Sequence, residues 1–153
     1  MSLYGADPIA FESVSAVTAT PSVDLGTRRV YNGEEYVYCY NATGSQATAG
    51  ALMIASGGSG YSLTRSSTAR ADFPVCAVKH AAVDDGSYFW GLVRGVVDVM
   101  SATNAKGEVL TVGADGAVGT YLVGSFPTCV IIGKAMEAGS GSTAFAVQVR
   151  LFG

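Results

Sequence analysis

Turn signals recur about every 8–12 residues from Thr27 to the end of this chain, and that spacing restricts it to short strands joined by tight connections. The 20 glycines interrupt every window long enough to hold three helical turns, so no sustained helix is expected beyond a brief turn near Ser101–Lys106. Asn32-Gly33 supplies the positive φ angles of a two-residue type I′ turn, which predicts a hairpin between Arg28–Tyr31 and Glu34–Tyr40. Short runs at 51–54 and 61–65 flank a Gly/Ser connection, Pro74–His80 is nearly continuously apolar, and Asp84-Asp85-Gly86 turns the chain into Ser87–Gly95. Gly95 stands between that run and Val96–Met100, where a bulge or bend would turn the corner of a barrel or sandwich. Further strands are expected at 108–112, 117–123 and near Val130–Ala138. The final run alternates Phe145, Val147, Val149 and Leu151 against smaller or polar residues, the period of a strand with one buried face. The expected fold is all-β: a small antiparallel β-barrel or β-sandwich over residues 27–153.

Residues 1–26 differ in texture, with Pro8, Pro21 and several Ser and Thr scattered among single apolar residues. They read as an extended N-terminal arm that orders against something else, with Val14–Thr18 able to pair as an edge strand. Only 14% of residues are charged while 49% are hydrophobic, a composition that suits either a small-residue-rich β protein or a surface that faces other subunits. The net charge of −3 offers no excess of cations for a phosphate backbone, which argues against direct nucleic-acid binding. No stretch reaches the length of a membrane-spanning helix and the N-terminus lacks the pattern of a signal peptide, so a soluble protein made without export is expected.

Nothing in the sequence assembles into a reaction centre. The lone His80 lies four residues after Cys76 on one predicted strand, which separates their Cα atoms by about 13 Å, too far for a thiolate–imidazole pair. Cys39, Cys76 and Cys129 are widely spaced in apolar segments and read as buried hydrophobes, without metal-binding or redox spacing. Gly139-Ser140-Gly141-Ser142-Thr143-Ala144 matches a dinucleotide-binding pattern in letters, yet a strand follows it where a helix would be needed. Asp84 and Asp85 fit a turn, and Asp98, Asp115 and Glu137 are isolated, so neither a paired-acid site nor a calcium loop is expected. No cofactor, metal or catalytic residue is assigned, and the chain is read as non-enzymatic. Trp90 with Tyr88 would serve either as core packing or as a sugar-stacking platform. Tyr36, Tyr38 and Tyr40 share one strand face, either as sheet packing or as an exposed contact row.

Val75-Cys76-Ala77-Val78-Lys79-His80-Ala81, Gly86-Ser87-Tyr88-Phe89-Trp90-Gly91-Leu92-Val93-Arg94-Gly95 and Val130-Ile131-Ile132-Gly133-Lys134-Ala135-Met136-Glu137-Ala138 together resemble the small head decoration, or cement, and capsid structural proteins of tailed bacteriophages. The resemblance extends over roughly residues 27–153. It implies a β-barrel or sandwich subunit on the capsid exterior that bridges neighbouring major capsid subunits, forms a homo-oligomer, trimer or dimer, and touches no membrane. The alternative is a head-fibre or tail module for adhesion or carbohydrate binding. Tyr4, Ile9 and Phe11 of the arm are the expected partner contacts, with Tyr36, Tyr38 and Tyr40 a second candidate set.

Overall fold

A computed structural model of the chain describes residues 13–56, 60–65, 74–99, 104–112, 116–120, 131–139 and 144–151. Among them run the strands β1 (Val17–Thr18), β2 (Arg28–Tyr31), β3 (Glu34–Asn41), β4 (Leu52–Ala55), β5 (Ser62–Arg65) and β6 (Pro74–Ala77). They are followed by β7 (Tyr88–Val99), β8 (Val109–Val112), β9 (Val118–Thr120), β10 (Ile131–Ala135) and β11 (Phe145–Arg150). Asn32 at φ 49° and Gly33 at φ 79° form the tight turn that the Asn-Gly pair predicts, and they set the β2–β3 hairpin in register from Tyr31 opposite Glu34 to Arg28 opposite Val37.

Pairing closes a barrel of β3, β5, β4, β6 and β7, because β7 returns to pair with β3. A second layer continues from β7 through β11, β10 and β8 to β9. β7 belongs to both: Tyr88–Arg94 pair with β3, and Arg94–Val99 pair with β11. The change of partner falls at Gly95, whose φ of 150° and crowding against Glu34 leave no room for a side chain. Sequence reading placed a bend at this residue between two strands, and the backbone carries one bent strand through it.

The pleat sorts β3 and β7 into two cores. Val37, Cys39, Phe89 and Val93 join Met53, Leu63 and Cys76 inside the closed barrel. Tyr36, Tyr38, Trp90 and Leu92 point the other way, where Val112, Ile132, Val147 and other residues of the second layer cover them. Both faces of β3 are therefore buried, and Gly50 and Gly116 let the layers approach, since a Cβ on Gly50 would lie 2.5 Å from the Asp98 carbonyl oxygen.

Two details extend the expected architecture. β3 and β5 pair in parallel, through Tyr40 opposite Ser62 and Asn41 opposite Leu63, so the barrel is not wholly antiparallel. A parallel neighbour needs a crossover connection, and β4 lies on that path as the antiparallel partner of β5. The edge pairing expected within Val14–Thr18 is made with β7: Val17 and Thr18 pair with Phe89 and Tyr88, and Val14 is buried in the core between the layers. The identity of the partner was not legible in the sequence, because it lies about seventy residues away, beyond any local pattern.

Candidate functional site

The tyrosine row lies largely inside. Tyr36 and Tyr38 are 1% and 0% exposed, and Tyr40 is half-buried. Tyr38 packs against Trp90 at 5.0 Å between ring centres, and Tyr40 against Tyr88 at 5.0 Å. The Tyr38 hydroxyl accepts hydrogen bonds from the Ser22 amide at 3.1 Å and the Ser22 hydroxyl at 3.0 Å, so the incoming chain is latched over it. Of the two alternatives for this row, sheet packing holds for Tyr36 and Tyr38, because β3 is sandwiched between layers. Trp90 is 2% exposed and offers no open face for stacking a sugar. Tyr4, Ile9 and Phe11 lie outside the described residues, as does Cys129.

A polar cluster stands where β7 bends. The Glu34 carboxylate accepts from the Val96 amide at 3.0 Å and the Tyr36 hydroxyl at 2.7 Å, and it pairs with the Lys79 ammonium. Burial pushes the Glu34 carboxyl up, but the Lys79, Val96 and Tyr36 contacts outweigh it and leave the group below the usual carboxylate range. The Tyr36 phenol is raised by burial and then by the adjoining carboxylate. His80 touches the Tyr36 hydroxyl through Nε2 at 3.1 Å, and burial followed by the Lys79 charge lowers its pKa, with Glu34 acting the other way. The arrangement resembles a staple across the corner: the Val96 and Lys79 contacts of Glu34 join β3 to β7 and to the segment after β6, the Tyr36 contact braces the carboxylate from within β3, and among the described residues the cluster opens onto no cleft of substrate size.

The remaining sequence candidates occupy structural places. Cys39 and Cys76 are buried free thiols whose sulfurs lie 3.9 Å apart inside the barrel, and burial raises the Cys39 thiol. His80 and Cys76 share no contact. Asp85 accepts from the Gly44 amide at 2.8 Å and Asp84 from the Gln46 amide group at 2.6 Å, closing the turn against the β3–β4 connection. Asn41, within an Asn-Ala-Thr sequon, is fully buried and donates to the carbonyls of Val83 and Ser45, so a glycan has no access to it in the folded chain. Among the described residues no three His, Cys, Asp or Glu side chains gather where they could share a metal ion.

The surface carries a feature that sequence reading did not find. A shallow groove of about 480 Å³ runs over the outer side of β7, β11, β10 and β8, lined by Arg94, Val109, Ile131, Lys134 and Arg150 around Gly133. A contiguous hollow continues past Ile131 to Leu151. Ile131 is 47% exposed and Val109 36%, while no carboxylate lines the groove among the described residues. These residues are separated by up to 56 positions in sequence, and only the register of four strands brings them together.

The architecture is that of a five-stranded barrel with a second sheet grown from one of its strands. It is similar to the solved N base of head fiber gp8.5 in bacteriophage phi29, with a TM-score of 0.56 and 15% identity, over 77% of this chain and 97% of that one. No protein-family model matches the chain, and no curated protein is significantly similar to it.

Proposed function

We propose that this chain is a non-enzymatic structural protein of a phage head, held on the capsid exterior through contacts with the major capsid protein and with further copies of itself. The observation that carries the reading is the likeness to a head-fiber base over nearly the whole of that neighbour, which favours a base that seats a projecting assembly on the head. The sequence resemblance to decoration proteins adds the second role, clamping neighbouring capsid subunits. The two differ in what they require. A fibre base must be present on the head and carry a further domain or partner outward, whereas a cement must also raise the resistance of the shell. Tyr4, Ile9 and Phe11 supply contact side chains in either case, and repeated contacts around a capsomer turn modest affinities into firm attachment.

Purified heads assembled with and without the protein test this. Co-sedimentation at a fixed copy number per capsomer supports head attachment. Heads that lack it and burst at lower temperature or osmotic shock support the clamping role, and equal survival removes that role while leaving the base. Absence from washed heads overturns both. Saturable binding on a glycan array would instead favour the adhesion module.

A further inference from the structure

Arg94 and Arg150 sit directly opposite each other on neighbouring strands, and both are exposed. Like charges in that position destabilise a sheet pair. Lys134 stands in the adjacent strand, so three of the chain's nine Lys and Arg residues line one groove in a protein whose net charge is −3. None of the three forms an ion pair among the described residues, whereas Lys79 and Arg28 each have a glutamate. Beside the cations lie the two exposed apolar side chains Val109 and Ile131, and Gly133 leaves the floor between them bare. A group that fits this groove is extended, carries carboxylates, and brings apolar side chains to cover the valine and isoleucine.

We infer that the groove receives residues 1–12 of a second copy of this chain. That segment contains Asp7 and Glu12 and no Lys, Arg or His, and it also carries Leu3, Tyr4, Ile9 and Phe11. Its charge and its apolar content both complement the groove. Pro8 favours an extended backbone around it, and twelve extended residues span about 40 Å, enough to cross from one subunit to another.

The direction of the chain points to a neighbour's groove. β1 runs antiparallel to β7, and the turn closed by the Ala16 amide on the Ser13 carbonyl at 2.9 Å reverses the backbone just before it. That turn lies beside Phe89 and Trp90, whereas the groove begins at Arg94. This inference rests on the homo-oligomeric part of the proposed function and names the contact that builds the oligomer.

The test is a charge exchange in the full chain, read by sedimentation equilibrium. One variant carries Arg94→Glu with Arg150→Glu, the other Asp7→Arg with Glu12→Arg. Each alone sets like charges against each other and is expected to weaken self-association by about 100-fold. An equimolar mixture restores assembly, because each arm then meets a groove of opposite sign. Thermal melts of the separate variants check that both fold, as Arg94 and Arg150 are exposed. If the unaltered chain is a monomer at all accessible concentrations, the homo-oligomeric reading fails and this contact with it. If it self-associates but the variants do so equally well, or mixing restores nothing, the oligomer stands and the assignment of the arm to this groove is overturned.

Discussion

Glu34→Gln isolates the charge at the corner of β7. The substitution keeps the shape and an oxygen to accept from the Val96 amide, but it removes the charge that faces Lys79 and the Tyr36 hydroxyl. The Glu34 and Lys79 side chains are 20% and 23% exposed, so solvent screens the pair only in part. A charge-assisted hydrogen bond contributes roughly 1.5–3 kcal/mol, and a glutamine retains some of these contacts, so a loss of about 2 kcal/mol is expected near neutral pH. For a chain of this size that corresponds to a fall in Tm of about 4–8 °C. The pH dependence supplies the sharper check. The folded carboxyl lies below its unfolded value, so its contribution is complete above the unfolded pKa and disappears as pH falls through the folded one. Urea unfolding of both proteins between about pH 7 and pH 3 should show the gap between them closing on the acid side. A gap that stays constant, or widens on acidification, would refute the assignment of the stabilisation to a charged Glu34.

Two further outcomes follow from the described contacts. Tyr38→Phe removes the acceptor of both Ser22 bonds and should cost about 1 kcal/mol, with hydrogen exchange accelerated in residues 14–22 while the barrel strands keep their protection; unchanged exchange there would mean the latch holds nothing. Cys39 and Cys76 should resist a thiol reagent in the native protein and react promptly once denatured, as peptide mapping of the labelled sites would show, and equal labelling rates with and without denaturant would contradict their burial.

Local chemistry made much of the fold legible. Asn32-Gly33 adopts the positive φ angles its turn needs, Gly86 closes the Asp84-Asp85 turn at φ 76°, and Phe145, Val147 and Val149 face inward as their alternation implies. Strand partners were not legible where sequence distance is large. Nothing near Tyr40 announces that Ser62 lies parallel beside it, and nothing near Val17 announces Phe89. The tyrosine row illustrates the same boundary: period two places Tyr36, Tyr38 and Tyr40 on one face, but whether that face meets solvent depends on a second sheet built from residues after 94. The basic groove escaped notice for a related reason, since Arg94, Lys134 and Arg150 are solitary cations in the linear chain and become a cluster only through strand register.

β7 has a mechanical consequence for a protein proposed to sit on a shell. Its twelve residues serve as a common spine, so tension entering through either layer passes along one continuous backbone before it reaches the other. The two rows of interstrand bonds lie end to end along that backbone and meet at Arg94, so the bend at Gly95 is where load passes from one layer to the other.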